Sequence, residues 1–136
     1  MVVVDNRYAL QLRDDKPGIT GPGLWGLFGG TLMLGERPDN GLRRELWEEL
    51  RIRVETPRLF WRVDGRNEFD PTPKRWWFFD VDATATWSTH ELHEGQAVEL
   101  FMFESLPKGR MTPMTWEAIA RRHGNFRFAG GDEATL

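Results

Sequence analysis

The sequence predicts an α/β protein, in which one mixed β-sheet carries helices on both of its faces. Two stretches of helical character alternate unevenly with short runs rich in β-branched and aromatic residues, a pattern typical of such sheets. The chain has 136 residues and is 40% hydrophobic, with seven tryptophans and nine phenylalanines, which is enough apolar material for one core. We therefore predict a single domain over residues 1–136.

Six strands are predicted from apolar runs that end at glycine, proline, asparagine or aspartate. They cover residues 2–4, 8–12, 24–28, 52–63, 75–83 and 98–103. Asp5 and Asn6 favour a turn between the first two strands. Residues 14–23 and 64–74 are polar and contain prolines, so they are predicted loops, and residues 129–136 are expected to fray.

Two helices are predicted. Pro38 suits the first turn of a helix over Pro38–Leu50, because its missing N–H would have no partner there in any case. Thr112, just before Pro113, is a suitable N-cap for a second helix over residues 112–123.

The composition excludes several classes of protein. Cysteine is absent, which rules out a disulfide framework and a cysteine-ligated zinc or iron–sulfur site. The net charge is −3 and the chain has no lysine or arginine block, so binding to long nucleic acid is not indicated. No apolar stretch approaches the roughly 18 residues of a membrane span, and no secretion signal is present. We expect a cytoplasmic protein that does not associate with membranes.

Three glutamates on the first predicted helix form the most informative pattern of the chain. With about 100° of rotation per residue, Glu45, Glu48 and Glu49 fall within an arc of about 100°. Like charges at this spacing destabilise a helix by roughly 0.2–0.5 kcal/mol per pair, so solubility alone does not explain their concentration. A hard cation such as Mg²⁺, which takes oxygen ligands, would explain it.

These glutamates belong to a longer pattern that resembles the signature of the Nudix hydrolases. The stretch runs Gly30-x5-Glu36-x7-Arg44-Glu45-Leu46-x-Glu48-Glu49-x-Arg51-Ile52 and matches eight of the nine signature positions. Its glycine and five charged positions should coincide by chance in roughly one chain in 10⁵ of this length. Arg51 departs from the family, which has glycine there. A side chain costs on the order of 1–2 kcal/mol in a left-handed helix cap, so we expect modest strain or a different helix end.

The resemblance implies an α/β/α sandwich, in which the signature forms a loop–helix–loop, and it implies roles for single residues. Glu48 and Glu49 match the family's metal-ligand pair. Glu45 matches a carboxylate that helps to bind metal or orients the attacking water. The backbone carbonyl of Gly29 matches a further metal ligand in several members.

The resemblance also implies supporting and catalytic residues outside the glutamate triad. Glu36 and Arg44 match a structural ion pair that holds the signature loop. One further glutamate, from a loop before a late strand, often serves as general base or metal ligand. Glu91, Glu94 and Glu99 are the candidates, and we choose Glu94 because it immediately precedes the last predicted strand.

The function implied by the resemblance is Mg²⁺-dependent hydrolysis, with Mn²⁺ as an alternative ion. The substrate would be a small nucleoside diphosphate linked to another group, or a nucleoside triphosphate. Arg13, Trp25 and Phe28 are candidate substrate contacts, since arginine binds phosphate and aromatic faces stack on bases. Two alternatives stay open: a catalytically silent nucleotide-binding or regulatory domain, and a GDP-sugar hydrolase that cleaves at the sugar carbon. A homodimer is possible.

Overall fold

A computed structural model describes residues 1–66 and 70–128 of the protein, with side chains described to residue 124. In chain order the elements are β1 (Val2–Val4), β2 (Arg7–Leu12), β3 (Trp25–Gly26), α1 (Pro38–Leu50), β4 (Arg58–Gly65), β5 (Lys74–Asp82), β6 (Ala97–Phe101) and α2 (Pro113–Phe128). Three short 3₁₀ turns are formed by Trp87–Thr89, Phe103–Ser105 and Lys108–Arg110. Within this described part, no helix is long and apolar enough to cross a membrane.

The strands form one mixed sheet in the order β3-β2-β1-β5-β4, with β6 also paired to β2. β1 and β5 are parallel, with Val2 opposite Val81, whereas the remaining pairs of named strands are antiparallel. β2 is the centre of one half of the sheet, because it pairs with β1, β3 and β6. Leu12, at the end of β2, lies opposite Trp25, at the start of β3.

The core consists of two clusters, one on each face of the sheet. Successive residues of a strand point to opposite faces, and β1 shows this directly: Val3 packs in the cluster that contains Ile119 of α2. Val2 and Val4 instead pack in the cluster that contains Leu46 of α1. The two helices thus cover opposite faces, and the predicted α/β/α sandwich with a mixed sheet is confirmed.

Several element boundaries differ from the prediction. β4 begins at Arg58, whereas the sequence predicts a strand from residue 52. Ile52 is apolar because it is buried beneath α1 in the core, and it is not part of the sheet. Arg43 holds the intervening segment away from the sheet by donating hydrogen bonds to the carbonyls of Val54 and Glu55, at 3.1 and 2.8 Å.

The other differences are smaller. β3 has only two residues, and β6 ends at Phe101, because Phe103 starts a 3₁₀ turn. α2 extends to Phe128, beyond the predicted end at residue 123. Gly124 costs helix stability but does not by itself stop a helix. The expectation for residues 129–136 and the centre of the predicted 64–74 loop lie outside the described residues.

Arg51 ends α1 in the left-handed conformation that the family fills with glycine. Its φ is 54° and its ψ is 32°, and its N–H donates to the carbonyl of Trp47 at 3.0 Å. The guanidinium bonds the same carbonyl at 3.2 Å and lies 5.5 Å from the Trp47 ring centroid. The helix therefore keeps the usual left-handed cap and accepts the strain of a Cβ, as the sequence led us to expect.

Arg51→Gly should raise the free energy of unfolding by about 1 kcal/mol, since glycine adopts this conformation without the steric cost. Urea unfolding monitored by tryptophan fluorescence measures the change. Arg53→Gly is the matched control, because Arg53 also lies over the Trp47 ring, at 4.3 Å, but has a negative φ. The control should lower the free energy of unfolding, because it removes the contact with Trp47 without relieving any steric cost. An equal loss in Arg51→Gly would show that the backbone of Arg51 is not strained.

Candidate metal and hydrolysis site

The site is built where the loop that follows β3 meets the exposed edge of α1. Phe28 is buried in the same cluster as Leu46 and Leu50, and this packing fixes the loop on the helix. The next residue, Gly29, donates its N–H to Oε2 of Glu49 at 3.2 Å. Glu49 is only 3% exposed, although it is an acid on a helix surface. Helix and loop thus enclose one carboxylate between them.

Glycines allow the loop to lie this close to α1. A Cβ on Gly30 would overlap the carboxylate of Glu45. A Cβ on Gly41, within the helix, would overlap the side chain of Leu32. Gly30, the signature glycine, is therefore required for steric reasons, because a side chain there would displace Glu45.

Arg44 connects the loop to the glutamates. Its guanidinium bonds both carboxylate oxygens of Glu36, from Nε at 2.8 Å and from Nη2 at 2.9 Å, and Nη2 also bonds the carbonyl of Thr31 at 3.2 Å. Nη1 donates to Glu45 at 2.9 Å and to Glu48 at 3.3 Å. The hydrogen bonds from Arg44 hold the pKa of Glu36 at about 2. The ion pair of Glu36 and Arg44 therefore forms, and Arg44 also balances two of the three helical glutamates.

The loop before β6 carries Glu94 to the same place. The N–H groups of Glu91 and His93 bond the carbonyls of Leu50 and Glu49, at 2.9 and 2.8 Å, which satisfies the end of α1. Gln11 of β2 donates Nε2 to the carbonyl of Glu94 at 2.9 Å. Gln11 is not among the residues predicted for the site, although a polar residue in an otherwise apolar strand is a signal for such a role. It is 2% exposed and acts as a positioning residue for this loop.

Glu49 and Glu94 meet as an acidic pair. Burial of Glu49, together with the hydrogen bond and the negative charge of Glu94, raises the pKa of Glu49 to about 9. The N–H of Gly29 works in the opposite direction but is outweighed. Of the three candidates before the last strand, Glu94 is the one placed against the triad. Glu91 instead pairs with His93, at 3.1 Å, and Glu99 is exposed on β6.

The side chains of Glu45, Glu48 and Glu49 do not converge on one point in the structure. Among residues 1–66 and 70–128, no three acidic or histidine side chains already surround one point at metal-ligand spacing. Glu48 is half-exposed and turned to Arg44, whereas Glu49 is turned inward to Gly29. If all three glutamates bound one cation, Glu45 and Glu48 would have to break their hydrogen bonds to Arg44 and turn toward the ion.

Two predicted substrate contacts do not fit their positions. Trp25 is 6% exposed and packs edge-on against Phe101, with ring centroids 5.1 Å apart, on the α2 side of the sheet. Phe28 is also 6% exposed, beneath α1. Both aromatics therefore belong to the core, Trp25 in the cluster on the α2 side and Phe28 in the cluster on the α1 side. Arg13, by contrast, lines an open cleft of about 440 Å³ next to β3.

Comparisons with known proteins agree with this architecture. The family model of the NUDIX domain matches residues 1–121. A MutT-like protein of Streptomyces ambofaciens is 54% identical over 37 residues, which are 27% of this chain and 24% of that protein.

Two solved structures resemble the whole fold. A MutT NUDIX hydrolase of Burkholderia pseudomallei has a TM-score of 0.69 at 27% identity, over 88% of this chain and 91% of its own. A bifunctional NMN adenylyltransferase/ADP-ribose pyrophosphatase of Francisella tularensis, complexed with AMP and a Mn ion, has a TM-score of 0.66 at 21% identity. That match covers 91% of this chain and 39% of the larger enzyme.

The sandwich, the glycine loop and the acidic helix agree with the fold of the Nudix proteins. The chain belongs to the Nudix family, and the predicted assignment as a MutT-like Nudix pyrophosphohydrolase is confirmed.

The acidic pair predicts a pH dependence of stability in the absence of divalent cations. The pKa of Glu49 is about 9 in the folded protein and 4.5 ordinarily, so between these values the folded state holds a proton that the unfolded chain releases. Stability should therefore fall as the pH rises from about 5 to 9. Urea unfolding in EDTA at several pH values measures this slope.

Glu49→Gln should remove most of the slope, and Glu91→Gln, which changes an exposed acid in the loop before β6, should retain it. Parallel pH profiles for the natural protein and Glu49→Gln would contradict the assignment of the buried proton to Glu49.

Proposed function

We propose that this chain is a Mg²⁺-dependent hydrolase of nucleoside diphosphates linked to another group, or of nucleoside triphosphates, with Mn²⁺ as an alternative ion. One observation carries the proposal: the buried carboxyl of Glu49 lies against Glu94 at the glycine loop. Two acids side by side, of which Glu49 is buried and Glu94 is exposed, are unfavourable unless a proton or a cation compensates them. The arrangement has a physical reason if a cation binds there.

The donor set fits a hard divalent cation. Glu45, Glu48, Glu49 and the carbonyl of Gly29 would hold it, and all of them present oxygen, the ligand atom that Mg²⁺ and Mn²⁺ prefer. When bound, such an ion neutralises phosphate oxygens and lowers the pKa of the attacking water. The Mn ion and AMP in the Francisella enzyme, and the hydrolase class of the Burkholderia protein, support this choice of cofactor and substrate class.

The chain's own residues supply positioning and proton transfer. Glu94 would accept a proton from water as the water oxygen bonds to phosphorus, while the bridging oxygen leaves with the electron pair of the broken P–O bond. Glu36 and Arg44 would keep the loop in place through their two hydrogen bonds. Gly30 would leave room for Glu45 to orient the water.

Glu49→Gln should lower kcat by about 10²–10⁴-fold on any substrate that the natural protein hydrolyses, a loss of the size caused by removing a key acid–base or ligand group. The assay is product release from a panel of nucleotide-linked diphosphates and triphosphates with Mg²⁺ or Mn²⁺. Glu91→Gln is the matched control and should retain activity. Full activity of Glu49→Gln would refute the proposed role.

Hydrolysis in ¹⁸O-water identifies the bond that is cut. Label in a phosphate product supports attack at phosphorus, whereas label in the released sugar would replace the proposal with cleavage at carbon. Nucleotide binding without turnover at saturating Mg²⁺ and Mn²⁺ would instead favour a silent binding domain.

A further inference from the structure

The cleft beside Arg13 lies on the α2 side of the sheet, opposite to α1, and it is lined in part by Leu27, which precedes the glycine loop. Its floor is apolar and includes Leu27, Trp76, Phe78 and Met114. Leu27 is two residues before Gly29, and two residues of chain span at most about 7 Å. A substrate whose diphosphate lies at Gly29 could therefore place one of its linked groups in this cleft, which we name the α2-side cleft.

Arg13 is held in a prepared position at the wall of the α2-side cleft. Its Nε donates a hydrogen bond to the carbonyl of Thr20. Its stem passes close to two glycines: a Cβ on Gly26 would lie 3.4 Å from Cδ of Arg13, and one on Gly21 would lie 3.8 Å from it. Both are ordinary van der Waals distances, so the stem packs beside the two glycines. The bonded Nε leaves the two terminal nitrogens of the guanidinium for a ligand.

Arg66, just after β4, is the second cation that lines the α2-side cleft. Among the described residues, no carboxylate lies within ion-pair distance of Arg13 or Arg66. By contrast, Arg75 of β5 pairs with Asp64. Glu117, the acid that lines the cleft, is bonded to Arg121 at 2.9 Å.

We propose that Arg13 and Arg66 form an anion subsite in the α2-side cleft. It would select substrates in which a group linked to the diphosphate carries its own carboxylate or phosphate. The proposal rests on the function proposed above, because the subsite would bind one group of a substrate whose diphosphate lies at the glycine loop. Two guanidiniums that have no carboxylate partner among the described residues, over an apolar floor, suit a ligand that is flat or hydrocarbon-rich and ends in an anion.

Binding to the Glu49→Gln variant tests the subsite separately from catalysis. Calorimetry with Mg²⁺ compares UDP-glucuronate with UDP-glucose, which differ by one carboxylate, and NADPH with NADH, which differ by one phosphate. Each pair shares its diphosphate, so the effect of the substitution at Glu49 cancels in the ratio. We expect the more acidic member of at least one pair to bind about tenfold more tightly, as one charge-assisted contact provides.

Arg66→Gln, introduced beside Glu49→Gln, should remove most of that preference by weakening the acidic ligand. Arg62→Gln is the matched control, because Arg62 is exposed on β4 and does not line the cleft. It should leave both affinities unchanged. The pair that shows the preference tells whether the subsite takes a carboxylate or a phosphate.

Equal binding of both members of each pair would overturn the subsite, and so would an equal loss for both members in Arg66→Gln. A preference in binding without hydrolysis of any of the four ligands by the natural protein would overturn the proposed function for them and leave the subsite standing. The two failures are therefore distinguishable.

Discussion

The carboxyl of Glu49 is enclosed between α1, the Gly29 loop and Glu94, and the architecture around it serves to keep it there. Phe28, Leu46 and Leu50 pack the loop and the helix against one face of the sheet. The loop before β6 is bonded to the last turn of α1, which brings a second acid to the first. Such crowding raises the free energy of the ionised state. Apolar packing provides the stability that makes this unfavourable arrangement possible.

Arg44 balances the remaining acids without filling the place beside Glu49. It holds Glu36 with two bonds and reaches Glu45 and Glu48 with its third nitrogen. The bonds to Glu36 can persist when Glu45 and Glu48 turn to another cation, because different nitrogens make them. The loop can therefore keep its shape while the charge at its edge is exchanged. Different nitrogens of one guanidinium thus bond different glutamates, which a lysine with its single nitrogen could not do in the same way.

The sequence predicts the site better than its surroundings for a physical reason. Glu45, Glu48 and Glu49 share a helix, so their spacing alone determines their relative placement. Glu94 could be selected from three acids but not placed, because its position depends on bonds to Gln11 and to α1 that are distant in sequence. Trp25 and Phe28 could not be separated from true ligand contacts, since a core and a binding cleft favour the same aromatic residues. The predicted start of β4 was wrong because Ile52 is buried in the core beneath α1 and not in the sheet. The hydrophobicity of a residue does not distinguish these two kinds of burial.

We propose that this acidic helix face binds a divalent cation, and crystals grown with Mn²⁺ test this most directly through the anomalous signal of the ion. We expect a Mn²⁺ peak within coordination distance of oxygens from Glu49 and at least one of Glu45 and Glu48, with Arg44 still bonded to Glu36. A map without such a peak, in which Glu45 and Glu48 keep their bonds to Arg44, would contradict it.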